Sequence, residues 1–358
     1  MQLLNLTHTQ LLDLPERLQT SLQDIVHQVQ IESYHCIKHP EYKSLELPES
    51  VISRFEQLPL EIQNRHLTKQ LSGFLYSVYY NGSQTVAIAN DAQDKNWVND
   101  TTFGIDFDFY ERLHSRNKSE GYWSHDWLVI KEERDGNLVV HKNGLNLHIE
   151  RDIYLSPADK MATVGNLVAI KMPKNLVQNG FYMAISNAGY QDHLDITRIY
   201  FNLIPEGSVE LMESLTARLN AISISFCFKA LYNPSDYRRY DSAVLYFNKQ
   251  HYPVVHQVLK SVYFENQSYF LENVPLFTKL LAPGLACAEE PQKKFTQQES
   301  FGTNRCQIIA NGLINAWHQG NDTPEGRMMS IFQSFLSEGI SLKYPYLNAN
   351  SEDIYTPL

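Results

Sequence analysis

Cationic and hydroxyl side chains that could bind an anion are concentrated on predicted β-strands between residues 195 and 247. Residues two apart on a strand share a face, so alternating polar residues can line one side of a sheet. If these strands are neighbours, their cations form a cradle for one phosphate or carboxylate group. The predicted phosphate-binding residues are Arg198, Tyr200, Asn202, Lys229, Arg238 and Arg239, and Tyr240 is a candidate proton donor.

A purely structural role is the alternative for these cations. Arg238 and Arg239 follow a turn, where they could be solvated and pair with Asp236 or Asp241. Arg198 could equally lie on a hydrated face of the sheet. This alternative predicts local ion pairs instead of a common anion site.

Two further groups of residues could supply acid–base chemistry. Lys142 and His148 lie on adjacent predicted strands, and Lys171 and Lys174 lie in and just beyond another. A lysine surrounded by cations has a lowered pKa and can act as a general base, and a histidine can protonate a leaving group. A solvent-facing hairpin is the alternative for all four residues.

Secondary candidates lie in the C-terminal third of the chain. Ser300 and Arg305 flank the start of a predicted helix, where backbone N–H groups can hold an anion, although an ordinary helix cap is the alternative. Lys279 lies in a predicted loop nearby. The His and Cys spacings predict no metal site, and the sequence lacks the GxSxG, phosphate-loop and HExxH motifs, so no cofactor is predicted.

The composition narrows the class of protein. A chain of 358 residues with 43% hydrophobic residues can bury a substantial core, and its net charge of −10 argues against nucleic-acid binding. No apolar run approaches the roughly 18 residues of a membrane span. Because the four cysteines form no CxxC pair and no signal peptide is recognisable, we expect a cytoplasmic protein with reduced thiols.

The periodicity of apolar residues predicts an α+β fold. Helical spacing dominates the first eighty residues, sheet signals follow residue 121, and helical spacing returns after residue 295. We therefore predict a helical N-terminal region over residues 1–82 and an α+β domain over residues 83–358. In that domain a mixed, mainly antiparallel sheet should carry helices on it and at the C-terminus.

Four segments of the sequence resemble the HopA-like family. This family is named for a type III secretion effector of plant-pathogenic bacteria, and it includes stand-alone bacterial proteins, notably from cyanobacteria. The similarity extends over about residues 60–358. The segments are KMPKNLVQNGFY (Lys171–Tyr182), RIYFN (Arg198–Asn202), YRRYDSAVLYF (Tyr237–Phe247) and ESFGTNRC (Glu299–Cys306).

The resemblance implies a phosphoserine or phosphothreonine lyase. Some HopA-like proteins eliminate phosphate from precursor peptides of lanthipeptides and other ribosomal natural products, after a kinase-like partner has phosphorylated them. Lys142 or Lys171 would then be the base, His148 or Tyr240 the acid, and the cations would bind phosphate. The partners that the resemblance implies are a phosphorylated peptide and a kinase-like protein, and we expect neither nucleic acid nor a membrane as a partner.

The alternative function is that of an effector-like protein without catalytic activity. It would bind a peptide or protein partner through the same cationic pocket.

Overall fold

The computed structural model shows an α+β protein built around one large antiparallel sheet. The predicted fold class is confirmed. Leu3 and Leu4, which contribute to the predicted helical pattern at the N-terminus, lie outside the described residues. The structure describes residues 11, 13–84, 101–102, 104–190 and 195–358.

The N-terminal region contains predicted helices and a small sheet that was not predicted. His39 and Pro40 lie at the turn between two short strands of this sheet. Strands of four or five residues offer too few positions for a clear alternation of apolar side chains. The elements are α1 (Glu16–Gln28), β1 (Gln30–Ser33), β2 (Cys36–His39), β3 (Tyr42–Glu46), α2 (Glu49–Phe55) and α3 (Leu60–Leu75), followed by a π-helical turn (Tyr76–Tyr80).

A second sheet has a hydrophobic core of its own. Its strands follow the order β8-β7-β6-β9, and Trp127, Val129 and Val140 are among the buried residues that pack beneath it. The elements of this part are β4 (Thr101–Thr102), β5 (Ile105–Asp106), α4 (Phe107–Arg116), β6 (Tyr122–Glu132), β7 (Leu138–Lys142), β8 (Leu145–Ile149), α5 (Arg151–Tyr154) and β9 (Leu167–Met172).

The seven-stranded sheet forms the centre of the protein. All its neighbouring strands are antiparallel, in the order β10-β11-β13-β14-β12-β16-β15. Its strands are β10 (Asn175–Gln178), β11 (Phe181–Ile185), β12 (Ile196–Phe201), β13 (Phe226–Leu231), β14 (Ala243–Asn248), β15 (Lys279–Ala282) and β16 (Leu285–Glu289).

Helices cover both faces of this sheet. On one face, α6 (Pro205–Ala221) packs against β13 and against α7 (Tyr252–Glu265). On the other face, the ring of Tyr200 contacts Tyr80 in the π-helical turn and Phe301 in α8 (Phe301–His318). The last helix, α9 (Pro324–Ser337), packs against α8 and α1. The seven strands therefore separate two helical layers.

The C-terminal residues are fixed to the core by a buried arginine. Arg305 in α8 donates hydrogen bonds to the carbonyl oxygens of Pro345 (2.8 Å) and Leu347 (3.0 Å). Its guanidinium lies 4.9 Å from the ring centroid of Phe301. Among the described residues, no helix combines the length and the apolar character needed to cross a bilayer.

Gly302 lets α8 approach the π-helical turn, and its replacement should destabilise the fold. A Cβ atom at this position would lie 2.3 Å from the ring of Tyr80, which is itself fully buried. We expect Gly302→Ala to lower the free energy of unfolding by about 1–3 kcal/mol, measured by urea denaturation.

Gly73→Ala is the matched control for this prediction. Gly73 lies in α3, and no atom lies within 4 Å of the added Cβ. Because alanine favours the helix, this variant should gain up to about 1 kcal/mol. Equal effects of the two substitutions would contradict the packing described here.

Candidate functional site

Three of the predicted phosphate-binding cations meet on the face of the sheet that α8 covers. The Lys229 Nζ lies 4.6 Å from the ring centroid of Phe181 and 5.2 Å from that of Tyr246. The guanidinium of Arg198 lies 5.0 Å from the Tyr246 centroid, and that of Arg239 lies 5.9 Å from the Phe181 centroid. Two aromatic rings thus lie between the three cations. We call Arg198, Lys229 and Arg239 together the cationic site.

Strand pairing explains why these residues meet. Tyr246 of β14 is opposite Arg198 of β12, and in the next row Val244 lies between Tyr200 and Lys229. Directly paired residues of an antiparallel sheet point to the same face. Arg198 and Tyr200, which alternate along β12, therefore lie on the same face of the sheet as Lys229, which is two strands away in β13.

Two of the three cations have carboxylate partners. Arg198 is ion-paired with Glu290, and Arg239 donates to Asp241 from Nε (2.5 Å) and Nη2 (2.8 Å). Within the described part of the chain, Lys229 has neither a carboxylate partner nor a hydrogen-bond acceptor. The cationic site therefore carries one uncompensated positive charge when Lys229 is protonated.

Burial, together with the positive charge of the nearby Arg198, lowers the pKa of Lys229 from the ordinary 10.5 to about 8. Asp241 opposes this effect, and Arg239 reinforces it. The side chain is half-buried, so it keeps some access to solvent. A substantial fraction of Lys229 is thus neutral near physiological pH, as a general base requires.

Asp241 remains ionised beside these cations. Burial alone would raise its pKa, but the Arg239 guanidinium holds the pKa below the ordinary value. Tyr76, in the π-helical turn, donates to Asp241 Oδ2 (3.1 Å) and accepts from Arg239 Nη2 (3.1 Å). The turn thereby fixes the geometry of this ion pair, as π-helical turns often do at functional sites.

Tyr200 contributes a buried hydroxyl group beside Tyr80 and Arg198. The side chain is buried, and its hydroxyl forms no hydrogen bond of normal geometry within the described residues. Tyr80 and Arg198 lie close enough to influence its pKa, which burial raises.

Residues 172–347 match the model of the HopA1 effector protein family. The resemblance to the HopA-like family is therefore confirmed over this segment, which is just under half of the chain. The matched segment contains the seven-stranded sheet and all three cations of the cationic site. The protein is therefore similar to effector proteins over this segment.

Two solved structures resemble this protein at low sequence identity. The effector protein from Pseudomonas syringae pv. tomato strain DC3000 is 16% identical, with a TM-score of 0.45 over 84% of this chain and 98% of that chain. The effector protein from Pseudomonas syringae pv. syringae strain 61 is 15% identical, with a TM-score of 0.43 over 79% and 100%. No curated protein matches the chain.

The structure does not bring the predicted bases to the cationic site. Lys142 donates to the carbonyl oxygen of His125 (2.6 Å), and Lys171 donates to that of Gly121 (3.2 Å), both in or beside the four-stranded sheet. His148 is exposed on β8 of the same sheet, with its Nδ1 3.4 Å from Glu133. These residues have the local, hairpin-like surroundings that were the alternative interpretation.

Four other candidates lie around the seven-stranded sheet with different partners. The Lys174 ammonium donates to the carbonyl oxygens of His114 and Asn117, and Asn202 donates to that of Asn273. Arg238 is exposed in the turn before β14. The ring of Tyr240 lies under the guanidinium of Arg17, 5.5 Å away.

The secondary candidates have structural partners. Lys279 pairs with Asp353 (2.6 Å), and Ser300 accepts a hydrogen bond from the backbone N–H of Thr303, as an ordinary helix cap does. Arg305 binds the C-terminal segment, as described above. Among the described residues, no three His, Cys, Asp or Glu side chains are grouped in a way that would hold a metal ion.

The structural interpretation of the arginines was partly correct. Arg239 pairs with Asp241, as the structural alternative predicted, yet it also contacts the same ring as Lys229. The hydrated-face interpretation of Arg198 was wrong, because this residue is only 7% exposed. Sequence reasoning missed Glu290 and Tyr76, whose roles depend on contacts across 92 and 163 residues of chain.

The lowered pKa of Lys229 can be measured directly. In protein labelled with ¹³C at the lysine side chains, one signal should titrate near pH 8, because burial and Arg198 disfavour the ammonium form. Lys229→Met should remove this signal and thereby assign it. Titration of the Lys229 signal near the ordinary value of 10.5 would contradict the described environment.

Proposed function

We propose that this protein is a lyase that eliminates phosphate from phosphoserine or phosphothreonine in a peptide. The observation that carries the proposal is a half-buried lysine with a pKa of about 8, located between two arginines. A neutral amine and an anion-binding surface at one place are the two requirements of this β-elimination. A phosphorylated precursor peptide and a kinase that supplies it are the partners that the reaction implies.

Lys229 is the base in this proposal. Its neutral amine takes the Cα proton, the C–H electron pair forms the Cα–Cβ double bond, and the Cβ–O bond breaks with its electron pair passing to phosphate. The phosphate takes up one proton, for which Tyr200 is the candidate donor. The Lys229 ammonium then releases its proton to solvent and the Tyr200 phenolate takes one up, and the products are a dehydroamino acid and hydrogen phosphate.

Arg198 and Arg239 would stabilise the negative charge that develops on the departing phosphate. Each guanidinium contacts a carboxylate through its Nε and Nη2. The Nη1 of Arg239 has no acceptor within the described residues. The carboxylates also hold both guanidinium groups in place before a substrate binds. Fixed donors that are aimed at developing charge are the most effective kind of electrostatic catalysis.

This assignment moves the base from the four-stranded sheet to the seven-stranded sheet. Lys142 and Lys171 were candidates because other cations surround them in the sequence. Their observed contacts are local, whereas Lys229 lies within reach of the same rings as both arginines. Proton abstraction and phosphate binding must occur on one small substrate group, so the base must share its site with the phosphate ligands.

A binding protein without catalytic activity is the second candidate. It is favoured by the ion pairs of Arg198 and Arg239, because carboxylates already occupy part of both guanidinium groups. In that case Lys229 would act as a cation that recognises a phosphorylated or carboxylate-bearing partner. The two functions require opposite protonation states of the same lysine.

Mass spectrometry of a phosphothreonine peptide incubated with the protein tests the elimination. We expect loss of the phosphate mass and the appearance of dehydrobutyrine. Lys229→Arg keeps the positive charge but has no usable base, so it should lower the rate by about 100-fold or more while the peptide still binds. Lys142→Ala is the matched control and should leave the rate unchanged; a greater loss in Lys142→Ala than in Lys229→Arg would contradict the assignment.

The pH dependence distinguishes catalysis from binding alone. If neutral Lys229 is the base, kcat/KM rises with pH through about 8 and levels off above it. If the ammonium form only binds an anion, affinity is highest below pH 8 and weakens above it. A profile of kcat/KM that falls as the pH rises through 8 would exclude Lys229 as the base.

Tyr200→Phe tests the proton donor separately. This substitution removes only a buried hydroxyl that lacks a well-formed hydrogen bond, so stability should change little. The elimination rate should fall by about 10- to 100-fold, measured as phosphate release. An unchanged rate would remove Tyr200 from the mechanism without affecting the role of Lys229.

A further inference from the structure

The hairpin of β10 and β11 carries apolar side chains on the same face of the sheet as the cationic site. Met183 of β11 is paired directly with Lys229 of β13, and Leu176 of β10 is paired with Met183. Directly paired residues of an antiparallel sheet point to the same face. Beyond Lys229, the same row continues through Val244 to Tyr200. One row of side chains therefore leads from the hairpin to Lys229 and on to Tyr200.

The hairpin and the cationic site also share an aromatic ring. Phe181 lies two residues before Met183 on β11, so both side chains point to the same face. The Phe181 ring centroid lies 4.6 Å from the Lys229 Nζ and 5.9 Å from the Arg239 guanidinium. A substrate residue at Lys229 would therefore contact the hairpin directly. We call Leu176, Phe181 and Met183 together the apolar floor.

The apolar floor is accessible from solvent. Leu176 is 43% exposed, and Phe181 and Met183 are half-buried. The opposite face of the hairpin is covered, because the ring of Tyr182 is fully buried and lies 5.2 Å from that of Tyr110 in α4. The hairpin thus packs against a helix with one face and leaves the face beside Lys229 open to a ligand.

The apolar floor contains no charged group. Residues 175–185, which include the whole hairpin, have no acidic or basic side chain. The preceding Lys174 does not reach the floor, because its ammonium donates to the carbonyl oxygens of His114 and Asn117 at the end of α4. A charged side chain placed on the floor would lose water without gaining an ionic partner, which is costly. The floor therefore favours apolar side chains.

The spacing of the strands relates the floor to a peptide bound at Lys229. Neighbouring strands are about 4.8 Å apart, so Met183 and Leu176 lie about 5 Å and about 10 Å from the row position of Lys229. An extended peptide advances by about 3.3 Å per residue. Arg198 and Tyr200 lie on the other side of Lys229 in the sheet. A phosphate held there leaves the hairpin side to residues one to three positions away in the peptide.

We propose that the apolar floor binds the side chains one to three residues from the phosphorylated residue, on one side of it, and selects apolar residues there. This inference rests on the proposed function for the position of the phosphorylated residue. The methionine side chain is flexible and adapts to apolar groups of different shape. The floor should therefore select apolar character and not one residue type.

A library of phosphothreonine peptides tests this proposal without knowledge of the natural substrate. Each peptide carries one phosphothreonine and about three variable positions on either side, which is the reach of the floor. Captured peptides are sequenced by mass spectrometry, whether or not they have lost phosphate, and should be enriched in apolar residues on one side. Leu176→Asp should weaken binding of an apolar peptide by about tenfold and shift the enrichment to lysine and arginine. Leu176 is exposed, so the variant should fold.

Val177→Asp is the matched control, because Val177 is 54% exposed on the same strand and points to the opposite face. It should leave the enrichment unchanged. Equal effects of the two substitutions would locate recognition at the strand edge and overturn the proposal. Phosphate elimination without any apolar preference would overturn the floor and leave the lyase proposal standing. Apolar enrichment that Leu176→Asp abolishes, in a protein that eliminates no phosphate, would support the floor and count against the lyase.

Discussion

The cationic site depends on one electrostatic imbalance. Arg198 and Arg239 are each held by a carboxylate, and Lys229 lies between them without one among the described residues. A buried charge without a partner is expensive, so the lysine is driven toward its neutral form. The same imbalance makes the site attractive to an anion, because a bound phosphate would supply the missing negative charge. Acid–base chemistry and anion binding thus have a common origin.

The rest of the fold maintains this imbalance. Gly302 allows α8 to pack against Tyr80, and the π-helical turn that contains Tyr80 also places Tyr76 on the Arg239–Asp241 pair. The stack of Tyr76 on Tyr80, with ring centroids 4.9 Å apart, connects the packing of a helix to the geometry of an ion pair. Changes in the core should therefore reach the site through this turn.

Local sequence patterns predicted most of the architecture and part of the site. The alternation of Arg198 with Tyr200 along a predicted strand placed both residues on one face of the sheet. Strand neighbours were not predictable, since Glu290 reaches Arg198 only after the sheet has formed. The environment of Lys229, on which its proposed role as base rests, was not predictable for the same reason, because it depends on residues that are distant in sequence.

Calorimetric binding of inorganic phosphate, at a pH slightly above the pKa of Lys229 and in buffers with different ionisation enthalpies, tests the central claim most directly. If an unpartnered Lys229 creates the anion site, binding should be accompanied by uptake of up to about one proton, because the bound dianion stabilises the ammonium form. Lys229→Met should abolish this uptake and weaken binding. Tight binding without proton uptake, unchanged in Lys229→Met, would contradict the account.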